Sequence, residues 1–220
     1  FDSSHMEYTV DRLSDTAGEP SLSEMTAKAI QVLAKNPKGY YLNVEAGRID
    51  HAHHATNPNR ALTDTIELAE AVKAAVEMVD LSETLIIVTA DHSHVFTIAG
   101  YPVRGNPILG KVVGVDSAGE TRTDLSLAVD GLPYTTLGYS NGPGFHLIED
   151  SSSADDVYDE DVHMSGRVDL TDVDTTSLGF HPETLVPMSS ETHGGEDVAI
   201  FAIGAGADLV RGVMEQHVIF

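Results

Sequence analysis

One stretch of the chain constrains the fold more than any other, because an apolar run passes directly into side chains that bind metals. Residues 40–44 are mostly apolar and follow the turn-forming segment 36–39, which predicts a short buried strand. Glu45 comes directly after that strand. Asp50 and His54 follow, four residues apart, and they share one face if the segment is helical. A carboxylate and an imidazole are ordinary zinc ligands, so this stretch predicts part of a metal site.

Carboxylates and histidines recur beside two further apolar runs. Residues 84–89 predict a second buried strand, followed at once by Asp91 and His92. His193 precedes a third predicted strand at 198–202, so it must reach the same region from a loop. In open α/β sheets, ligands bind in the crevice at the carboxyl ends of the strands. We therefore expect these scattered side chains to converge on folding.

The elements between these runs predict an α/β fold. A capping box at residues 21–24 and an apolar stripe after it predict a first helix, and the 3.6-residue periodicity of 62–79 predicts another. Strand, helix and strand in this order predict a right-handed parallel crossover and hence a mainly parallel sheet flanked by helices. Residues 208–220 read as a final helix. Between 113 and 188 the chain is rich in Pro, Gly, Ser and Asp, with one candidate strand at 134–139.

Composition excludes several functions. Acidic residues outnumber basic ones by 35 to 12, a net charge of −23, which repels nucleic acid and anionic membranes. This balance favours a salt-adapted (halophilic) protein, with an ordinary acidic protein as the alternative. No apolar run is long enough to span a membrane. The chain has no cysteine, so a zinc site must use His, Asp and Glu. The acidic tract 155–161 lacks the spaced glycine of a calcium loop and is interpreted as solvated surface, with calcium binding as the alternative.

Four segments carry a resemblance to a known family. They are 44–54 (VEAGRIDHAHH), 89–96 (TADHSHVF), 139–144 (YSNGPG) and 191–199 (ETHGGEDVA). Together and in this order they resemble alkaline phosphatase, more closely the animal-like branch than the enteric bacterial one. The resemblance is weak between about residues 113 and 188. It implies that 1–112 is the central part of a metal-binding α/β domain, that 113–188 is an inserted crown-like subdomain, and that 189–220 returns to the first domain.

The resemblance also implies a role for each candidate residue. Asp50, His54 and His193 match the ligands of one zinc ion, and Asp91 and His92 match two ligands of a second. Glu45 matches a ligand of a nearby magnesium ion, and His51 a position that approaches phosphate through water. The remaining assignments are supporting roles for His53, His94 and His146. Phe1, Asp2 and Glu19 match positions of an additional calcium site, but a solvated surface loop is the favoured interpretation of this segment.

The implied activity is hydrolysis of phosphate monoesters through a phosphoserine, with an alkaline optimum and release of inorganic phosphate. The nucleophilic serine, the phosphate-binding arginine and a bridging aspartate have no counterpart in this sequence. We therefore expect the chain to be the C-terminal portion of a larger enzyme, partnered by its N-terminal portion. The resemblance further implies a homodimer in the periplasm or outside the cell.

Two alternatives remain open. The first is a related metal-dependent hydrolase, such as a sulfatase, mutase or phosphodiesterase built on the same metal scaffold. The second is a non-enzymatic acidic protein that binds divalent cations, for which the tract 155–161 would be the feature.

Overall fold

Three helices form one part of the molecule. The computed structural model describes residues 4–16 and 18–219. Helix α1 (Leu22–Leu33) begins with the predicted capping box: Glu24 N donates to Ser21 Oγ at 3.2 Å, and Ser21 N donates to Glu24 Oε2 at 2.8 Å. The short helix α2 (Gly47–His54) and the long helix α3 (Pro58–Met78) follow, and α3 packs against both. The helices predicted after the capping box and at 62–79 are therefore confirmed, and the segment that carries Asp50 and His54 is helical.

In the part of the chain that the structure describes, the strands form four small sheets. Strand β1 (Leu85–Thr89) pairs with β9 (Ile200–Gly204), and β2 (Ser93–His94) pairs with β8 (His193–Gly194). Strands β3 (Phe96–Ile98), β4 (Leu137–Gly142) and β7 (Thr184–Pro187) make a third sheet, and β5 (His146–Leu147) pairs with β6 (Phe180–His181). Among the described pairings, only that of β4 with β7 is parallel.

The expectation of a mainly parallel sheet is therefore wrong for the described residues. The segments 85–94 and 193–204 run past each other in opposite directions, with Thr89 opposite Ile200 and Ser93 opposite Gly194. Both pairs along this ladder are consequently antiparallel.

Two further expectations are corrected. Residues 40–44 form no strand, and Tyr41 is 79% exposed, because no described segment lies alongside to pair with this backbone. The predicted final helix 208–220 is replaced, within the described residues, by 3-10 turns at Ala207–Leu209 and Gln216–Ile219. Left-handed backbone at Gly206 (φ 80°) and Gly212 (φ 74°) is incompatible with a continuous helix through this region.

The segment 113–188 consists mainly of turns and contributes strands β4 to β7. Its status as a separate subdomain stays a prediction. Its acidic tract is more than a solvated surface: Ala154–Asp159 is a 3-10 turn with Val157 buried. Asp155 accepts a hydrogen bond from Tyr8 Oη at 2.8 Å and pairs with Arg48 at 3.0 Å. This part of the tract thus packs against the helical part of the molecule.

The calcium site that the resemblance offers as an alternative lies partly outside the described residues, since Phe1 and Asp2 are not among them. Glu19 is buried, and its Oε2 accepts a hydrogen bond from the backbone of Glu7 at 2.9 Å. The site stays a prediction. Within the described part of the chain, none of the helices combines the length and apolarity needed to cross a membrane.

His181 is a buried histidine that joins β6 to the end of α2. Its Nδ1 lies 2.6 Å from the carbonyl oxygen of Ala55, and its Nε2 lies 3.4 Å from Asn57 Nδ2. Because a carbonyl can only accept, Nδ1 carries the hydrogen and Nε2 acts as the acceptor. Burial lowers the pKa of His181 to about 4, so the folded protein holds this ring neutral.

Acid is therefore expected to destabilise the fold through His181. Its folded pKa lies below that of an unfolded histidine, so the unfolded chain binds the extra proton, and stability is lost as pH falls from about 6.5. His181→Asn keeps a donor beside Ala55 but cannot be protonated. Urea unfolding between about pH 6 and pH 4.5 should show a pH slope shallower by about 1.4 kcal/mol per pH unit in this variant.

The matched control is His217→Asn, because His217 is exposed in the folded protein. This variant should keep the pH slope of the unsubstituted protein. An unchanged slope in His181→Asn would contradict the buried neutral state of His181.

Candidate metal centre

Helix α2 supplies the first two side chains of the site. The helix has two turns, and Asp50 and His54 lie one turn apart on the same face, as predicted from their spacing. Asp50 Oδ1 is 3.4 Å from His54 Nε2. The carboxylate and the imidazole can therefore contact one cation.

The small sheet of β2 and β8 supplies the other side chains. His94 and His193 lie directly opposite each other in its antiparallel register, and His92 precedes β2 by one residue. Their Nε2 atoms lie 3.0 Å (His94), 3.5 Å (His193) and 3.8 Å (His92) from Asp50 Oδ1. Gly194 permits this close approach, since a Cβ there would lie 2.8 Å from the carbonyl oxygen of His94. One carboxylate oxygen thus faces four imidazoles.

The arrangement has the chemistry of a divalent-metal site. Asp50 Oδ1 is buried and accepts no hydrogen bond of acceptable geometry, despite the four nearby nitrogens. His54 Nε2 and His193 Nε2 are 3.2 Å apart, and the rings of His92 and His193 stack with centroids 3.5 Å apart. Lone pairs this close repel unless a proton or a cation lies between them. The donor set of imidazole nitrogens and a carboxylate oxygen suits zinc.

Among residues 4–16 and 18–219, two groups of side chains have ligand atoms close enough to one another to hold an ion. The first is Asp50, His92, His94 and His193, and the second is His54, His94 and Glu191. The structure therefore brings together four of the residues predicted from sequence, namely Asp50, His54, His92 and His193. Their assignment to particular metal ions stays a prediction.

The other predicted residues lie at the edge of this cluster or outside it. Asp91 has a largely exposed side chain, with Oδ2 3.4 Å from His92 Nε2. Glu45 is exposed and joins neither group. His51 also joins neither group, and its Nδ1 lies 2.9 Å from Arg48 Nη1. Burial and then the guanidinium of Arg48 lower the pKa of His51, which favours a neutral ring.

The three histidines expected in supporting roles have different surroundings. His53 is half-buried beside the cluster, with Nδ1 2.9 Å from Tyr139 Oη, and burial lowers its pKa to about 3. His146 lies in the segment 113–188, where its two nitrogens face the carbonyl oxygens of Gly144 and Asp161, each at 3.1 Å. His94, in contrast, lies at the centre of the cluster.

Sequence reasoning underestimated His94 and assigned no role to Glu191. Glu191 is 2% exposed, and its Oε2 lies 2.6 Å from His94 Nδ1. Burial opposes protonation of His94, but the hydrogen bond to Glu191 and the carboxylate of Asp50 outweigh it and raise the His94 pKa. The two-residue spacing of His92 and His94 was the available signal, because alternate residues of a strand share a face.

By fold and side-chain chemistry, this is an α/β protein with a candidate divalent-metal centre made of histidine and carboxylate groups. The family model for alkaline phosphatase matches residues 1–220, so the chain belongs to the alkaline phosphatase family. This confirms the resemblance read from the four sequence segments. The family is metal-dependent, and the cluster is the candidate for holding its metals.

Individual relatives agree with the family assignment. The chain is 41% identical over 219 residues to the tissue-nonspecific alkaline phosphatase isozymes of Gallus gallus and Felis catus. It is 39% identical over 219 residues to the alkaline phosphatase of Gadus morhua. Each match covers 100% of this chain but only 37%, 36% and 40% of those relatives, respectively. The chain therefore spans well under half of their length.

Proposed function

We propose that this chain supplies most of the metal-binding side chains of an enzyme that hydrolyses phosphate monoesters. The observation that carries the proposal is the buried, unpaired Oδ1 of Asp50, with four imidazole Nε2 atoms at 3.0–3.8 Å. Its family membership adds the reaction class. The non-enzymatic alternative has less support, because Asp155, the first residue of the acidic tract, is already engaged by Tyr8 and Arg48.

Within this proposal, Asp50, His54 and His193 hold one zinc ion. His92 and Asp91 hold a second, with His94 packed against the shared carboxylate. Divalent ions bound here would polarise the phosphoryl group and stabilise the attacking and leaving oxygens. Glu45, exposed in this chain, would bind magnesium together with ligands from the rest of the enzyme.

The chain's own residues hold the candidate ligands in fixed orientations. Helix α2 holds Asp50 and His54 on the same face, and the antiparallel pairing of β2 with β8 holds His94 opposite His193. His51 is held by Arg48, which is itself paired with Asp155, so a neutral ring is available to hydrogen-bond phosphate through water. The relatives are longer than this chain, which covers 37% and 40% of two of them. We propose that the serine nucleophile and the phosphate-binding arginine come from an N-terminal portion of the enzyme.

The same N-terminal portion is proposed to cover the exposed apolar side chains of the β1–β9 sheet. Phe201 and Leu85 are 67% and 43% exposed there, and burying them would contribute to association. Homodimer formation, a crown-like role for 113–188, an additional calcium site and a periplasmic or extracellular location are also proposals that follow from the family.

Metal content and substrate preference test this proposal together. Crystals of the protein that carries this chain should give anomalous scattering at the zinc edge between Asp50, His54 and His193. Among p-nitrophenyl phosphate, bis(p-nitrophenyl) phosphate and p-nitrophenyl sulfate, the monoester should show the highest kcat/KM. Activity should fall with acid, which protonates histidine ligands and releases metal.

A chelator should abolish the activity, and added zinc should restore it. Zinc absent from the cluster would contradict the metal assignment. A preference for the diester or the sulfate would favour the related metal-dependent hydrolase instead. Calcium binding that persists in a His54→Ala, His193→Ala double variant, without zinc uptake, would favour the non-enzymatic alternative.

A further inference from the structure

Glu191 is a buried carboxylate whose charged partners among the described ion pairs are imidazoles. Its side chain is fully buried, and an ionised carboxylate out of water must be hydrogen-bonded to be tolerated. Oε2 lies 2.6 Å from His94 Nδ1, and Oε1 accepts a hydrogen bond from Val95 N at 2.6 Å. Both carboxylate oxygens are therefore used as acceptors.

The backbone of Glu191 holds the second imidazole. Its carbonyl oxygen lies 2.6 Å from His54 Nδ1, and its N–H donates to the carbonyl oxygen of His54 at 2.9 Å. The carboxylate Oε2 is also 3.5 Å from His54 Nδ1. One residue thus contacts the Nδ1 edge of both His54 and His94, on the side away from Asp50.

These contacts determine where the ring hydrogens lie. A carbonyl and an ionised carboxylate can only accept, so Nδ1 of both His54 and His94 must carry a hydrogen. In a neutral ring, Nε2 then keeps its lone pair. Both Nε2 atoms face Asp50 Oδ1, at 3.4 Å and 3.0 Å. The lone pairs are therefore directed at the centre of the cluster.

The segment that carries Glu191 is itself anchored. Asn141 and Thr192 exchange two hydrogen bonds, Asn141 Nδ2 to Thr192 Oγ1 at 2.9 Å and Thr192 N to Asn141 Oδ1 at 3.0 Å. At Gly142 (φ 138°) an added Cβ would lie 3.4 Å from the Cβ of Glu191. The 139–144 segment thus supports Glu191 from β4.

We propose that Glu191 is a positioning residue that presents Nε2 of His54 to a metal ion and holds His94 against the metal-binding carboxylate of Asp50, as a carboxylate behind a histidine does in other metal sites. The positioning role depends on one part of the proposed function, namely that the cluster binds metal. A carboxylate is required because both oxygens accept. Glutamine at this position offers one acceptor and one donor, so the hydrogen bond to His94 or that to Val95 must be lost.

Ring tautomers provide a first readout that needs no metal. In the metal-free protein that carries this chain, labelled with ¹⁵N-histidine and kept at alkaline pH so that His94 is neutral despite its raised pKa, NMR should show His54 and His94 as Nδ1–H tautomers. Glu191→Gln should shift His94 toward a mixture, whereas the exposed control Glu120→Gln should leave both rings unchanged. Nε2–H tautomers for both rings in the unsubstituted protein would overturn the proposal, even if the variant failed to fold.

Zinc affinity provides the second readout. Competition with a chromogenic chelator should show weakening by about 10–100-fold in Glu191→Gln and no change in Glu120→Gln. Zinc affinity in Glu191→Gln equal to that of the unsubstituted protein would overturn the positioning role while leaving the phosphatase proposal intact. Absence of zinc binding by the unsubstituted protein would instead contradict the proposed function, and the tautomer result would still stand.

Discussion

Replacing Asp50 with alanine is expected to lower kcat/KM for a phosphate monoester by at least about 1,000-fold, equivalent to about 4 kcal/mol of transition-state stabilisation. Asp50 Oδ1 faces the Nε2 atoms of four histidines, so its removal takes away the only carboxylate oxygen shared by all of them in the described cluster. Without it, the metals should bind weakly and the phosphoryl group should lose its stabilisation. Steady-state kinetics with p-nitrophenyl phosphate, together with zinc content, measure both effects.

Two further variants make the Asp50 result specific. Asp50→Asn keeps the shape of the side chain but removes the charge, so it should lose zinc affinity with little change in the unfolding midpoint. The exposed Asp172→Ala should retain full activity and zinc content. If Asp50→Ala kept its zinc and stayed within about tenfold of normal activity, the cluster could not be the catalytic metal centre.

Local sequence rules predicted the parts of the fold that depend on neighbouring residues. The capping box at Ser21 and Glu24 and the shared face of Asp50 and His54 both follow from helix geometry alone. The prediction of a strand at 40–44 failed because the apolar composition of this segment was interpreted as burial, whereas Tyr41 is exposed. Strand formation requires a pairing partner, which no local pattern specifies.

The prediction of parallel strand pairing failed for a related reason. The order strand, helix, strand predicts a parallel crossover only if both strands pair in the same sheet. Here β1 pairs instead with β9, more than 100 residues later, and the pairing is antiparallel. Such long-range pairing is determined by tertiary packing and leaves no mark in the periodicity of either strand.

The candidate site was predictable where one element carries two ligands, and less so where separate elements meet. His92 and His94 both face Asp50, but which of the two lies nearest depends on how α2 packs against the β2–β8 ladder. Glu191 could not be identified from its sequence position alone. Its significance comes from complete burial between two imidazoles, which becomes visible only in three dimensions.

Arg60→Ala is expected to destabilise the fold by about 3–5 kcal/mol, the cost of breaking a buried charge pair. Arg60 is 0% exposed at the start of α3. Its Nε and Nη2 donate to the two carboxylate oxygens of Asp11 at 2.7 and 2.9 Å. Nη1 donates to the carbonyl oxygen of Leu178 at 2.6 Å and Nη2 to that of Ser152 at 2.5 Å. One guanidinium thus joins the start of the chain to two loops of the 113–188 segment.

Urea unfolding of matched variants separates the contribution of the charge pair from that of packing. Arg60→Lys should remain destabilised, because an ammonium cannot reproduce the two-pronged contact with Asp11. An Arg60→Met, Asp11→Leu double variant should recover more than half of the loss, since no buried charge is then unpaired. The carbonyl of Leu178 would still accept from Asn57 Nδ2 at 2.8 Å, leaving that of Ser152 as the main unpaired group.

The exposed Arg104→Ala should change stability by less than about 0.5 kcal/mol. A loss for Arg60→Ala as small as that for Arg104→Ala would show that Arg60 does not hold these loops together.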